Sequence, residues 1–195
     1  MKISNYPTVL LFFILFFARP AASYDVTASL GNLCEYIGKI QTDEEGSKNI
    51  CQFTPYLASS YDYALTTDFI LSPELGFSVP KSGRDEHIKK MNLFILTNGI
   101  YKLSNIHLIA GLGLFFTRIS STGGTEELNN GTGTSSFPLP DSTIFTRNFI
   151  LNLGLGMDIN KDWSADLHSF VFNLLTSEDR AFSLAINGTY HFGEF

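Results

Sequence analysis

The chain has few of the things that enzymes and nucleic-acid binders are built from. It has one tryptophan, three methionines, four histidines and two cysteines in 195 residues. Its basic residues are outnumbered, 13 to 19, and the formal net charge of −6 argues against a nucleic-acid partner. No apolar run is long enough for a membrane-spanning helix, which needs roughly 20 residues. The longest, Val9 to Ala18, is about half that and follows the lone charge of Lys2. Pro20 ends it, and Ala21-Ala22-Ser23 supplies small residues of the kind a signal peptidase reads. Residues 1–23 are therefore expected to be a cleaved signal peptide, with 24–195 the mature domain. Cleavage removes Lys2 and Arg19 and no acid, which takes the net charge from −6 to −8.

Export places Cys34 and Cys51 where disulfides form. A bridge between them is expected, worth about 3 kcal/mol in the loop-entropy picture. No second cysteine pair or histidine cluster accompanies them, so no metal is expected.

What the mature chain does contain is alternation. Helical periodicity is poor, whereas apolar and polar residues alternate over eight segments, roughly 24–33, 51–63, 67–79, 89–102, 105–119, 143–159, 162–174 and 181–192. Each is close to the ~9–11 residues that a tilted transmembrane strand needs. Tight links near 64–66, 103–104 and 160–161 alternate with longer polar ones at 34–50, 80–88, 120–142 and 175–180. Short turns at one end and long loops at the other are the layout of an up-and-down transmembrane barrel of eight antiparallel strands.

In the fifth segment Ile106, Leu108, Ala110, Leu112 and Leu114 share one face, and His107, Gly111 and Gly113 the other. Alternation alone does not say which face is outside. The ring types do: Tyr24, Tyr61, Tyr63, Tyr101, Trp163 and Tyr190 all fall at the short-turn end, as an interfacial girdle should.

The chain closes on Tyr190-His191-Phe192-Gly193-Glu194-Phe195. This resembles the closing strand of bacterial outer-membrane barrels, and the whole mature layout is similar to the small eight-stranded class. The resemblance implies an outer-membrane location and a lipid bilayer with lipopolysaccharide as surroundings. It also implies recognition of Tyr190, Phe192 and Phe195 by the barrel assembly machinery.

An eight-stranded barrel has an interior just wide enough for side chains to fill. Asp68, Glu74, Asn98, His107, Asn148, Asp158, Asp166 and His168 are expected to form a polar network plugging that lumen. The inward glycines 111, 113, 154 and 156 are expected to make room for large side chains such as Phe115. No catalytic residue or cofactor site is expected: His168 and Ser169, with Asp166 nearby, suggest a hydrolase, but neighbours on a strand point to opposite faces. Arg84, Lys89 and Lys90 are candidates for lipopolysaccharide phosphates, and the 120–142 loop for an extracellular ligand. The function expected is structural or surface-interacting. The alternatives are a lipid-modifying membrane enzyme and a soluble, lipocalin-like binder of a small ligand.

Overall fold

The computed structural model describes residues 24–37, 41–42, 48–49, 52–82, 88–129, 134–174 and 180–194. The proposed signal peptide, Cys51, Arg84 and Phe195 lie outside these residues. Eight long strands make up the fold: β1 (Tyr24–Ile37), β2 (Gln52–Ala64), β3 (Phe69–Ser78), β4 (Ile88–Leu103), β5 (Ile106–Asn129), β6 (Thr134–Asp158), β7 (Trp163–Phe172) and β8 (Ala181–Glu194). Each pairs antiparallel with its sequence neighbours, and β1 pairs with β8, so the sheet closes on itself. All eight expected segments are strands.

Closure fixes the geometry. Stepping from partner to partner around the ring, Leu103 on β4 leads through Ile106, Met157, Ala165, Gly188, Leu30, Leu57 and Phe77 back to β4 at Leu93. The ring returns ten residues higher than it began. A stagger of that size over eight strands corresponds to a strand tilt of roughly 40°. The β2–β3 ladder is interrupted around Pro73, between the Ser60–Glu74 and Tyr63–Leu71 pairs, because proline has no N–H to give.

The faces are inverted relative to a soluble protein. On β8 Ile186 is 60% exposed while its neighbour Asn187 is 6% exposed; on β6 Leu153 is 46% and Asn152 is 0%. Leu30, Leu57, Leu75, Ile95, Leu112, Leu155 and Leu167 all stand on the outside. A water-soluble protein does not expose a continuous apolar surface of this kind. An apolar exterior around a polar interior is what a barrel needs to cross lipid. Leu112, at 51% exposure, is mid-belt. L112R should cost about 2–4 kcal/mol in denaturant unfolding from lipid vesicles, against little change for L112F.

One expectation fails. Residues 120–129 and 134–142, expected in a loop, are strand: β5 and β6 pair from Ser120–Thr143 out to Asn129–Thr134, with a break at Gly123 and Pro140. Serine and threonine, which suggested a loop, are acceptable in a ladder once water solvates its edges. Gly123 and Gly124, with φ of 76° and 115°, kink the hairpin opposite Pro140 without ending it.

Candidate functional site

The inward residues form three layers. Nearest the short turns is a polar layer centred on Asp166 of β7. Its Oδ1 lies 2.8 Å from His107 Nε2, and its Oδ2 accepts from Thr189 Oγ1 at 2.8 Å and Asn187 Nδ2 at 3.0 Å. Asn187 in turn accepts from the Tyr56 hydroxyl at 3.1 Å. A second chain crosses the lumen: Asn98 donates to Glu74 at 2.7 Å, Asn152 donates to Asn98 at 2.9 Å, and His168 Nδ1 is 3.2 Å from Asn152 Oδ1. On the facing wall Asp62 Oδ1 accepts from Ser60 at 2.7 Å and Ser72 at 2.6 Å.

Gly156 explains why the first contact exists. A Cβ there would overlap both His107 Nε2 and Asp166 Oδ1. Likewise Gly111 leaves space for Asn98, and a Cβ at Gly113 would overlap the Ile95 carbonyl oxygen and the Leu96 side chain. The glycines accommodate these side chains rather than Phe115.

The middle layer is aromatic. Phe94 and Phe115 stack with centroids 6.2 Å apart, Phe170 lies 5.8 Å from Phe94, and Phe172 meets Phe115 edge-on at 5.1 Å. Leu33, Leu96 and Ile150 pack among them, all 1% exposed or less. A polar network was expected in the lumen, with Phe115 inside it; Phe115 belongs to an apolar cluster that fills the centre. Above it a third layer is polar again. Lys90 pairs with Glu35, which also accepts from Asn92 Nδ2 at 2.7 Å, and Thr117 donates to Asn92 Oδ1 at 2.9 Å.

The expected lumen residues divide accordingly. Glu74, Asn98, His107, Asp166 and His168 lie in the lower layer. Asp158 is half-buried at the mouth, 3.5 Å from His107 Nδ1. Asn148 is half-buried opposite Phe115 and joins neither polar chain among the described residues. Asp68 is not in the lumen: it is exposed in the turn between β2 and β3, where the backbone reverses before the inward faces begin. Lys90 also points inward to Glu35, because its parity on β4 is that of Phe94, not that of Lys89. Tyr56, Asp62, Asn152, Asn187 and Thr189 were not singled out, although all share the inward parity of their strands.

At the short-turn end the lumen opens into a cavity of about 440 Å³ lined in part by Asp25, Asp62, Lys102, His107, Asp158 and His191. Here Ser164 Oγ is 3.3 Å from His191 Nε2, and His191 Nδ1 is 2.8 Å from Asp25 Oδ2. The Gly193 N–H holds the other Asp25 oxygen at 3.1 Å. The order Ser–His–Asp is that of a hydrolase triad. Ser164, however, is 2% exposed, so no acyl group reaches it in this conformation. The chain spans β7, β8 and β1 and works as a clasp across the closing seam. Donor atoms of Asp25, Asp62 and His191 lie within 4.8 Å of one another. Asp25 accepts from the Gly193 N–H, Asp62 from Ser60 and Ser72, and His191 meets Ser164. His168 is buried and Ser169 lies on the opposite face.

The aromatic girdle residues sit at the short-turn end. Tyr24 and Tyr61 stack at 5.4 Å, and Trp163 meets Tyr190 edge-on at 5.1 Å. Tyr63 is paired with Tyr24 across β1 and β2, while Tyr101, at 45% exposure, faces outward.

No family model matches the chain, and no curated protein matches it. Solved structures do. Ail, the attachment invasion locus protein of Yersinia pestis, aligns over 89% of this chain and 100% of its own, with 11% identity and a TM-score of 0.51. The same protein in complex with the heparin analogue sucrose octasulfate aligns over the same shares with 10% identity and a TM-score of 0.51. With its closed ring of eight antiparallel strands and its apolar exterior, the chain has the fold of the small eight-stranded outer-membrane β-barrels.

Proposed function

We propose that the mature protein, residues 24–195, is a closed outer-membrane barrel with a structural or surface-interacting role and no catalytic one. The apolar exterior carries this reading, since a continuous apolar belt is stable against lipid and not against water. The aromatic layer supports a lumen that does not conduct. The β5–β6 hairpin, which runs well past the belt on the long-loop side, is the element offered to an extracellular partner. Ail was crystallised in complex with the heparin analogue sucrose octasulfate, so this fold is compatible with surface recognition.

The remaining parts of the proposal follow from orientation. The wall contacts lipopolysaccharide in the outer leaflet. Cys34 and Cys51 form a disulfide stapling the first long connection. Tyr190 and Phe192, outward on β8 with ring centroids 5.1 Å apart, are presented to the assembly machinery, with Phe195 beyond them.

Membrane-extracted protein should migrate differently on SDS gels before and after boiling. Protease added to intact cells should cut within 122–142 and spare the turns at 65–68 and 159–162. A chain with identical mobility in both states, recovered in the soluble fraction, would sink the proposal.

A further inference from the structure

The exterior of the barrel is almost free of charge. Between the girdle and the upper rim, the described outward positions of all eight strands carry no carboxylate. The charged groups there are three cations, Lys89 on β4, Arg118 on β5 and Arg147 on β6, all exposed. In a chain with 19 acids against 13 bases, such sorting by sign calls for a cause.

Their height is informative. Arg147 lies ten residues beyond Met157 on β6, so at ~3.3 Å per residue and a tilt of roughly 40° it stands roughly 25 Å above it. That equals the usual height of an apolar belt, ~25 Å. Arg147 is therefore at the headgroup level of the leaflet on the long-loop side.

Their alignment is informative too. Arg147 pairs with Phe116, so Arg118 is its diagonal neighbour; Arg118 pairs with Met91, so Lys89 is the next diagonal. Each diagonal step climbs two residues along the strand, and crossing to the next strand loses part of that rise through the tilt. The net climb is only ~2 Å per strand. The three cations thus form a row almost parallel to the membrane plane, with neighbours ~7–8 Å apart. None has a carboxylate partner among the described residues. Asp141, the next described acid on this face, lies six residues beyond Arg147. Arg118 sits over the ring of Phe145, 5.8 Å from its centroid, and Phe145 is 72% exposed.

We infer that Lys89, Arg118 and Arg147 form a binding site for the phosphate groups of a phosphorylated outer-leaflet lipid, with Phe149, two residues nearer the belt than Arg147, against its apolar part. The inference rests on the outer-membrane reading above and makes its lipopolysaccharide contact specific. Phosphate is the partner that fits: it is anionic, lies at this depth, and offers several acceptor oxygens to guanidinium forks. The Phe145 ring holds the Arg118 guanidinium at the surface of the wall rather than free in water.

The test uses full mature protein folded in zwitterionic detergent. Native mass spectrometry follows its titration with phosphorylated lipid A and, separately, with the dephosphorylated form. The parent should bind the phosphorylated form roughly tenfold more tightly, and K89Q/R118Q/R147Q should abolish that preference. R118K/R147K should keep most of it, and K102Q/K161Q, at the opposite end of the barrel, should keep all of it. Inorganic phosphate at the same concentration should not compete, because it brings no apolar part. Should the triple variant not fold, R118Q and R147Q singly carry the test, each expected to weaken binding about threefold. A folded, heat-modifiable parent with no preference for the phosphorylated lipid, or a folded variant with the preference intact, overturns this site alone. A parent with no heat-modifiable form overturns the outer-membrane reading instead.

Discussion

Replacing Asp166 with alanine should destabilise the barrel by about 3–5 kcal/mol, the usual cost of removing one partner from a buried charged network. Asp166 accepts from three residues, His107, Asn187 and Thr189, and is itself only 7% exposed. Without it, three buried donors lose their acceptor at once, and each must find another or stay unpaired. Urea unfolding from lipid vesicles gives the free energy. G156A should act on the same bond from the other side, because its methyl group would occupy the space in which His107 meets Asp166. The two losses should not add: in the D166A background, G156A should cost clearly less than it does alone. Full additivity would mean that Gly156 serves backbone packing and not the His107–Asp166 contact. A cost for D166A below about 1 kcal/mol would mean that water replaces the carboxylate without difficulty.

The second large effect concerns the aromatic layer. F94A/F115A/F170A removes three rings that separate the lower polar chain from the Glu35–Lys90 layer above. Single buried Phe→Ala changes typically cost about 3–5 kcal/mol, and the triple should fold only with the membrane's support. The more telling readout is conduction. In planar bilayers the parent should show no steady current, and the triple variant should show one, because polar groups lie on both sides of the gap it opens. A parent that already conducts steadily would show that water bypasses the rings. A folded triple variant that stays silent would move the barrier to the polar layers.

The aromatic layer also marks where the sequence stops being legible. Strand number, inward parity and the girdle could be read from single strands, since alternation and ring type are properties of one segment. His107 and Asp166 could be placed on inward faces, but not together. They are 59 residues apart on strands that do not neighbour each other, and only the two ladder registers that set both opposite Gly156 bring them together. Cross-strand register likewise brings the phenylalanines together and aligns Lys89, Arg118 and Arg147. None of this is written in any one segment. Asp68 shows the reverse error: its parity was extrapolated one residue past the start of β3, into a turn that has no inside. The β5–β6 hairpin escaped because its glycines and serines resemble a loop, and only cross-strand pairing shows that the ladder continues.

The seam between β1 and β8 carries a consequence for biogenesis. Asp25 lies opposite Glu194, so the pair of strands that completes the cylinder joins the first and the last strand of the barrel. Every other junction is between neighbours and can form locally; this one cannot exist until the eighth strand has been synthesised and exported. Until then the chain has two raw edges and no wall that lipid would accept. The decisive event in closing the barrel is therefore an encounter between its oldest and its youngest strand.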